Sequence, residues 1–279
     1  MVHIVTDTTS CLGPQFSARY HVPIIPQVIN FGTDSFLEGV ELDNAGFLKR
    51  LKSSGELPKT AAPPPELFIK EFERLVPTGE PIVCIHPSAE VSGTVRSATV
   101  AAQDFPGADI RIIDTRVISS PLGTMVERAA LWAAEGKDAD EIVAGLQDLI
   151  ARCRVYFLVS TLEYLARGGR IGGASALVGS MLQIKPILTL RDGKVDVYER
   201  DRTYKRAYAR LKEIVIEQIS PNGKGHLTVM HAGVPEEAGC LSQELSHIIH
   251  QPEVQIFDVP PAITTHGGPG ILGVGFFAT

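Results

Sequence analysis

Short β-rich apolar runs alternate with helix-spaced segments, and this alternation limits the chain more than any other feature. Residues 3–6, 23–29, 81–85 and 110–113 are compact runs rich in Val and Ile. Between them, Asp43 caps a segment with Phe47, Leu48 and Leu51 at helical spacing. Pro63-Pro64-Pro65 opens another, with Leu67, Phe68, Phe72 and Leu75 on one face. Proline suits the first helical turn, where its missing N–H has no intrahelical role. Residues 93–105, 122–135 and 139–153 read as further helices. Apolar strands separated by helices predict a mainly parallel sheet covered on both faces.

The second half has a different pattern. Residues 155–159 read as a strand and 161–166 as a short helix ended by Gly168-Gly169. A helix is expected over 175–182. Residues 187–190 and 195–199 flank Asp192-Gly193, a strong hairpin signal because Asp-Gly fits a tight two-residue turn. A long helix over 203–219, a strand over 226–230, a helix over 235–250 and a strand over 254–259 follow. Helices mixed with a hairpin predict an α+β domain on a mixed sheet. At 279 residues the chain is expected to form two domains, 1–154 and 155–279. The proline-rich stretch 58–65 reads as a domain crossing or a surface loop.

Hydrophobic residues make up 44% of the chain, enough for real cores. A formal net charge of −6 argues against nucleic-acid binding, which needs a basic footprint. The longest apolar stretch, 174–190, is broken by Gln183, Lys185 and Pro186 and is too short for a membrane span. The start, Met-Val-His-Ile-Val-Thr-Asp, lacks the basic region of a signal peptide. A soluble, cytoplasmic protein is therefore expected. Cys11, Cys84, Cys153 and Cys240 form no Cys-x-x-Cys pair, so neither a zinc cluster nor a disulfide scaffold is expected. Cys84 reads as a small buried hydrophobe.

In open α/β sheets, ligands sit beyond the carboxyl ends of the strands. Three such places are rich in hydroxyls: Thr6-Asp7-Thr8-Thr9-Ser10, the run from His86 through Ser92-Gly93-Thr94, and Asp114-Thr115. Ser92 is expected to cap the helix that follows. It serves either an anion held by hydroxyls and amides, or a plain helix start. His266-Gly267-Gly268-Pro269-Gly270 begins a glycine-rich run with a formal Gly-x-Gly-x-x-Gly. Too few residues follow for a dinucleotide site, so close backbone approach to a ligand or tight folding under His266 is the better reading. Arg167 and Arg170 are framed by glycines, and either present guanidinium groups to an anion or lie in a solvated loop. Glu244, His247 and His250 have helical spacing, but an exposed helix end accounts for them without a metal. No Gly-x-Ser-x-Gly elbow supports a hydrolase.

Taken in order, these pieces resemble the DegV family of bacterial fatty-acid-binding proteins along nearly the whole chain. They are Ile4-Val5-Thr6-Asp7-Thr8-Thr9, Ser92-Gly93-Thr94, Ile113-Asp114-Thr115, Thr161-Leu162-Glu163-Tyr164-Leu165 with Gly168-Gly169-Arg170-Ile171, Lys185-Pro186-Ile187-Leu188, Asp192-Gly193 and His266-Gly267-Gly268-Pro269-Gly270. The resemblance implies a two-domain α/β fold with a long-chain fatty acid such as palmitate between the domains. It implies Thr60 and Ser92 as head-group ligands, His266 near the same head group, Arg170 as a weaker candidate, and Gly93 and Gly267 as backbone neighbours. It implies a non-catalytic carrier in lipid transport or fatty acid metabolism, with no cofactor and no metal. A separate ATP-dependent fatty acid kinase would act on the bound acid, and Arg202 would be a surface contact for it. The alternative is an enzyme, a phosphotransferase or acyl hydrolase using Ser92 with His266. One departure stands out. Where the family has Thr-Ser-Gln-Pro, this chain has Thr60-Ala61-Ala62-Pro63, which implies a leaner head-group network. Val95 likewise replaces the aromatic that follows Ser-Gly-Thr in the family.

Overall fold

The computed structural model describes residues 1–54, 56–180, 184–220 and 225–279. They fall into two compact units, Met1–Asp43 with Gly55–Ala151, and Asn44–Ser54 with Arg152–Thr279.

The first unit contains β1 (His3–Asp7), β2 (Ile24–Ile25), β3 (Val28–Phe31), β4 (Asp34–Leu37), β5 (Lys59–Ala61), β6 (Ile82–His86) and β7 (Ile110–Asp114). A parallel sheet runs in the order β2-β1-β6-β7. Val5 pairs with Cys84, and Cys84 with Ile112. β6 is buried along its whole length, which explains its unbroken apolar run. Val5, Ile82 and Cys84 share a core with Phe68, Phe72 and Leu75 of helix Pro65–Leu75 and with Ala98 and Ala101 of helix Thr94–Ala102. Ile4, Val83 and Ile85 alternate to the opposite face and are also buried. Helix Ser120–Ala134 packs on β1 and β6.

Residues 23–29 are not one strand. The chain breaks at Pro26-Gln27, so that β2 joins the parallel sheet and β3 joins an antiparallel sheet in the order β4-β3-β5. Proline cannot donate to a continuous ladder, which favours the break there. The proline-rich stretch 58–65 carries β5, whose Thr60 pairs with Ile29.

The second unit contains β8 (Cys153–Leu158), β9 (Lys185–Arg191), β10 (Lys194–Asp201), β11 (Thr228–His231), β12 (Gln255–Asp258) and β13 (Leu272–Phe277). They form a mixed sheet ordered β10-β9-β8-β13-β11-β12, in which only β11 and β12 run parallel. The Asp192-Gly193 hairpin forms as expected. Both turn residues have positive φ (50° and 80°), the geometry a tight primed turn requires. Helices Tyr204–Gln218 and Pro235–Ile248 share a core with the sheet, and Thr203 Oγ1 caps the first by accepting from Arg206 N at 3.3 Å.

One expectation changes in this unit, and one strand is added to those expected. The glycine-rich run ends in β13, a fully buried interior strand. Its glycines serve close packing, since a Cβ on Gly273 would lie 2.8 Å from Phe157 Cβ. Instead of an α-helix over 175–182, a 3-10 run covers Gly172–Ser180. Residues 181 and 182 lie outside the described residues. Among the described residues, no helix is long and apolar enough to cross a membrane.

Candidate functional site

The carboxyl ends of β1 and β6 deliver Asp7 and His86 side by side, both with no exposed side-chain surface. His86 Nδ1 donates to Asp7 Oδ2 at 2.8 Å, because a carboxylate oxygen has no hydrogen to give. The imidazole also meets the edge of Phe68, with ring centroids 5.3 Å apart. His86 Nε2 has no hydrogen-bond partner among the described residues. Asp7 Oδ1 accepts from Thr9 N at 3.0 Å, Thr9 Oγ1 at 2.6 Å and Gln27 Nε2 at 3.0 Å. Gln27 Nε2 also lies 2.9 Å from Thr94 Oγ1, which lies 2.8 Å from Ser92 Oγ. Three short steps thus link a buried carboxylate to a half-buried serine hydroxyl. Thr8 Oγ1 donates to the buried Glu38 and accepts from Gln27 N at 3.1 Å.

Ser92 is not the N-cap of the helix that follows. Gly93 holds that position, and Ser92 Oγ instead accepts from Thr94 N at 3.3 Å. Gly93 is exposed, and a Cβ there would lie 3.3 Å from Ala62 Cβ. The Thr60-Ala61-Ala62-Pro63 segment therefore abuts the Ser92-Gly93-Thr94 turn within this unit. Thr60 itself is half-buried on β5. The small Ala62 is what lets the two segments approach.

In the second unit the short helices Glu163–Arg167 and Pro261–Gly267 pack together. The His266 ring sits against Gly168, where any Cβ would collide with Nδ1. Gly268 lies equally close to the Tyr164 ring, and Gly267 to the Ile271 side chain. Arg170 Nη1 donates to Gly168 O at 2.7 Å, which holds the guanidinium beside this cluster. Burial, and then the charge of Arg170, push the His266 imidazole down to about 4. Of the two glycine-framed arginines, only Arg170 belongs here; Arg167 is exposed and pairs with Glu163 at 2.6 Å. Arg202 is elsewhere in this unit, exposed between β10 and helix Tyr204–Gln218. Glu244 forms an ion pair with Lys212 at 2.6 Å, and no metal-binding cluster occurs among the described residues.

The model of the family described as "Uncharacterised protein, DegV family" matches residues 1–279. This chain belongs to the DegV family. A DegV domain-containing protein of Halalkalibacterium halodurans is 36% identical over 99% of this chain and 98% of its own length. A DegV family protein from Thermus thermophilus, described by its fatty acid binding, superposes with a TM-score of 0.93 at 30% identity. That match covers 100% of this chain and 99% of the other. The fatty acid binding DegV family protein of Streptococcus agalactiae gives a TM-score of 0.91 at 28% identity, with the same coverage. The two-unit α/β architecture is thus that of DegV structures. The DegV segments quoted from the sequence fall on the strand ends of the first unit and, in the second, on the short helices around His266, on β9 and in the β9–β10 hairpin turn.

Sequence reasoning missed Gln27 and Glu38. A signal for Gln27 was present: a lone amide between Pro26 and Val28, inside an apolar run, needs a buried partner.

Proposed function

We propose that this protein binds a long-chain fatty acid without catalysing a reaction on it. The similarity to fatty-acid-binding DegV structures over the whole chain carries this reading. In it, the Thr60 and Ser92 hydroxyls take the carboxylate, with Gly93 leaving the approach open. In the second unit, taken by itself, His266, Arg170 and the Gly267 backbone are the candidate ligand contacts. The local chemistry supports binding over catalysis, since among the described residues the Ser92 hydroxyl bonds to Thr94 Oγ1 and Thr94 N, and neither is a general base. Energetics support it too. Burial is worth about 0.8 kcal/mol per methylene, so a palmitate tail offers on the order of 10 kcal/mol before ordering costs. The head-group hydroxyls then only need to orient the acid.

Mass spectrometry of the small molecules released on denaturing the purified protein is expected to show a long-chain fatty acid. Ser92→Ala is expected to weaken palmitate binding by roughly 1–2 kcal/mol in calorimetry, the scale of a hydrogen bond to a charged group. An unchanged dissociation constant would remove Ser92 from the site. Steady turnover of an activated acyl ester, abolished by the same substitution, would overturn the non-catalytic reading.

The reading extends to a partner, a fatty acid kinase that phosphorylates the presented carboxylate. Arg202 is exposed beside the Thr203 cap, where its side chain is open to a partner. Arg202→Glu is expected to impair phosphorylation by an added fatty acid kinase while leaving palmitate affinity intact. A fall in lipid affinity instead would assign Arg202 to the pocket or the fold.

A further inference from the structure

We propose that the buried chain from Asp7 through Gln27 and Thr94 fixes the Ser92 hydroxyl as a hydrogen donor, so that the site favours an acceptor-only carboxylate head group. This deepens the fatty-acid reading and rests on it. The direction is set at Asp7, whose carboxylate can only accept. Asp7 Oδ1 already takes both donors of Thr9, and its third contact is Gln27 Nε2 at 3.0 Å. That contact decides which end of the Gln27 amide faces inward. The other hydrogen on the same nitrogen goes to Thr94 Oγ1 at 2.9 Å. Gln27 cannot swing away. Its N–H is held by Thr8 Oγ1 at 3.1 Å, and its C=O accepts from Glu38 N at 2.9 Å.

Thr94 then decides the last step. Its side chain is fully buried, and its hydroxyl has two neighbours, the Gln27 amide and Ser92 Oγ. The amide hydrogen points at Thr94, so the Thr94 hydrogen has Ser92 Oγ as its acceptor. Leaving that hydrogen unpaired in the interior would forfeit the bond and the desolvation already spent on it. Ser92 Oγ consequently accepts twice, from Thr94 Oγ1 at 2.8 Å and from Thr94 N at 3.3 Å. Both lone pairs are occupied, and the one group left to Ser92 is its own hydrogen. Ser92 is half-buried, so that hydrogen can reach a ligand. Asp7, Gln27 and Thr94 are positioning residues in this scheme, and none of them needs to touch the acid.

The test is a ratio. Competition titration on the full chain compares palmitate with hexadecan-1-ol, which shares the tail and lacks the carboxylate. Thr94→Val removes the hydroxyl at nearly constant shape, Gln27→Met breaks the relay one step earlier, and Thr94→Ser restores the hydroxyl. The palmitate-to-alcohol affinity ratio is expected to fall roughly tenfold in the first two and stay at the wild-type value in the third, the scale of one charge-assisted hydrogen bond. The alcohol itself should bind within about twofold throughout. If one of the disrupting variants fails to fold, the other still reads the ratio. An unchanged ratio, or equal weakening of both ligands, overturns the relay while leaving the fatty-acid reading standing. A wild-type chain that binds neither ligand ends both.

Discussion

His266 shows how burial and a neighbouring cation keep one side chain uncharged. Burial is the larger influence, and the neighbouring Arg170 adds to it; together they bring the imidazole down to about 4. The ring is therefore neutral near pH 7 and offers a hydrogen bond, not an ion pair. In the unfolded chain a histidine titrates near 6.5. Between these two values the unfolded state binds a proton that the folded state refuses, so folding stability rises with pH across that window. The contribution is fully present above about pH 6.5 and is lost as pH falls through about 4, with an upper limit of about 3 kcal/mol. His266→Gln is expected to flatten this slope. Urea denaturation of both proteins at pH 7 and pH 4.5 checks it, and parallel losses in the two would contradict the assignment.

At the level of elements, the helices were the most legible. Pro63-Pro64-Pro65 and the spacing of Phe68, Phe72 and Leu75 give helix Pro65–Leu75 directly, because one buried stripe generates that spacing. The Asp-Gly hairpin was equally plain, since few residues tolerate two successive positive φ angles. β13 was not. Leu-Gly-Val-Gly-Phe-Phe is buried at every position, so no polar alternation marks it, and its glycines mimic a loop. β5 was hidden by flanking prolines, although a three-residue strand needs only one partner, β3. The candidate site was half legible for a related reason. The rule about strand ends points to Asp7, His86 and Ser92 wherever the sheet is parallel. The link through Gln27 spans 67 positions to Thr94 and comes from a loop-like break between two sheets, which periodicity does not register.

For the whole molecule, the consequential feature is that the second unit is not continuous in sequence. Helix Asn44–Ser53 belongs with Arg152–Thr279 although the chain on both sides of it belongs to the first unit. The apolar spacing of Phe47, Leu48 and Leu51 announces a helix, but spacing alone does not say which core receives it. Phe47 and Leu51 are buried there, and Leu48 lies against Gly233. Phe47 and Leu48 also line a small cavity with Ala232, Val259 and Pro261. A fragment that starts at Arg152 would lack this cover and expose the apolar surface around Ala232 and Pro261. Losing two buried side chains of this size costs on the order of 3–6 kcal/mol, a large share of a typical domain's stability. The fragment 152–279 is therefore expected to bind a hydrophobic dye and to melt broadly. Residues 44–54 joined to its N-terminus by a flexible Gly-Ser linker are expected to restore a cooperative transition in circular dichroism. A sharp melt and no dye binding from the bare fragment would show instead that the helix is peripheral to that core.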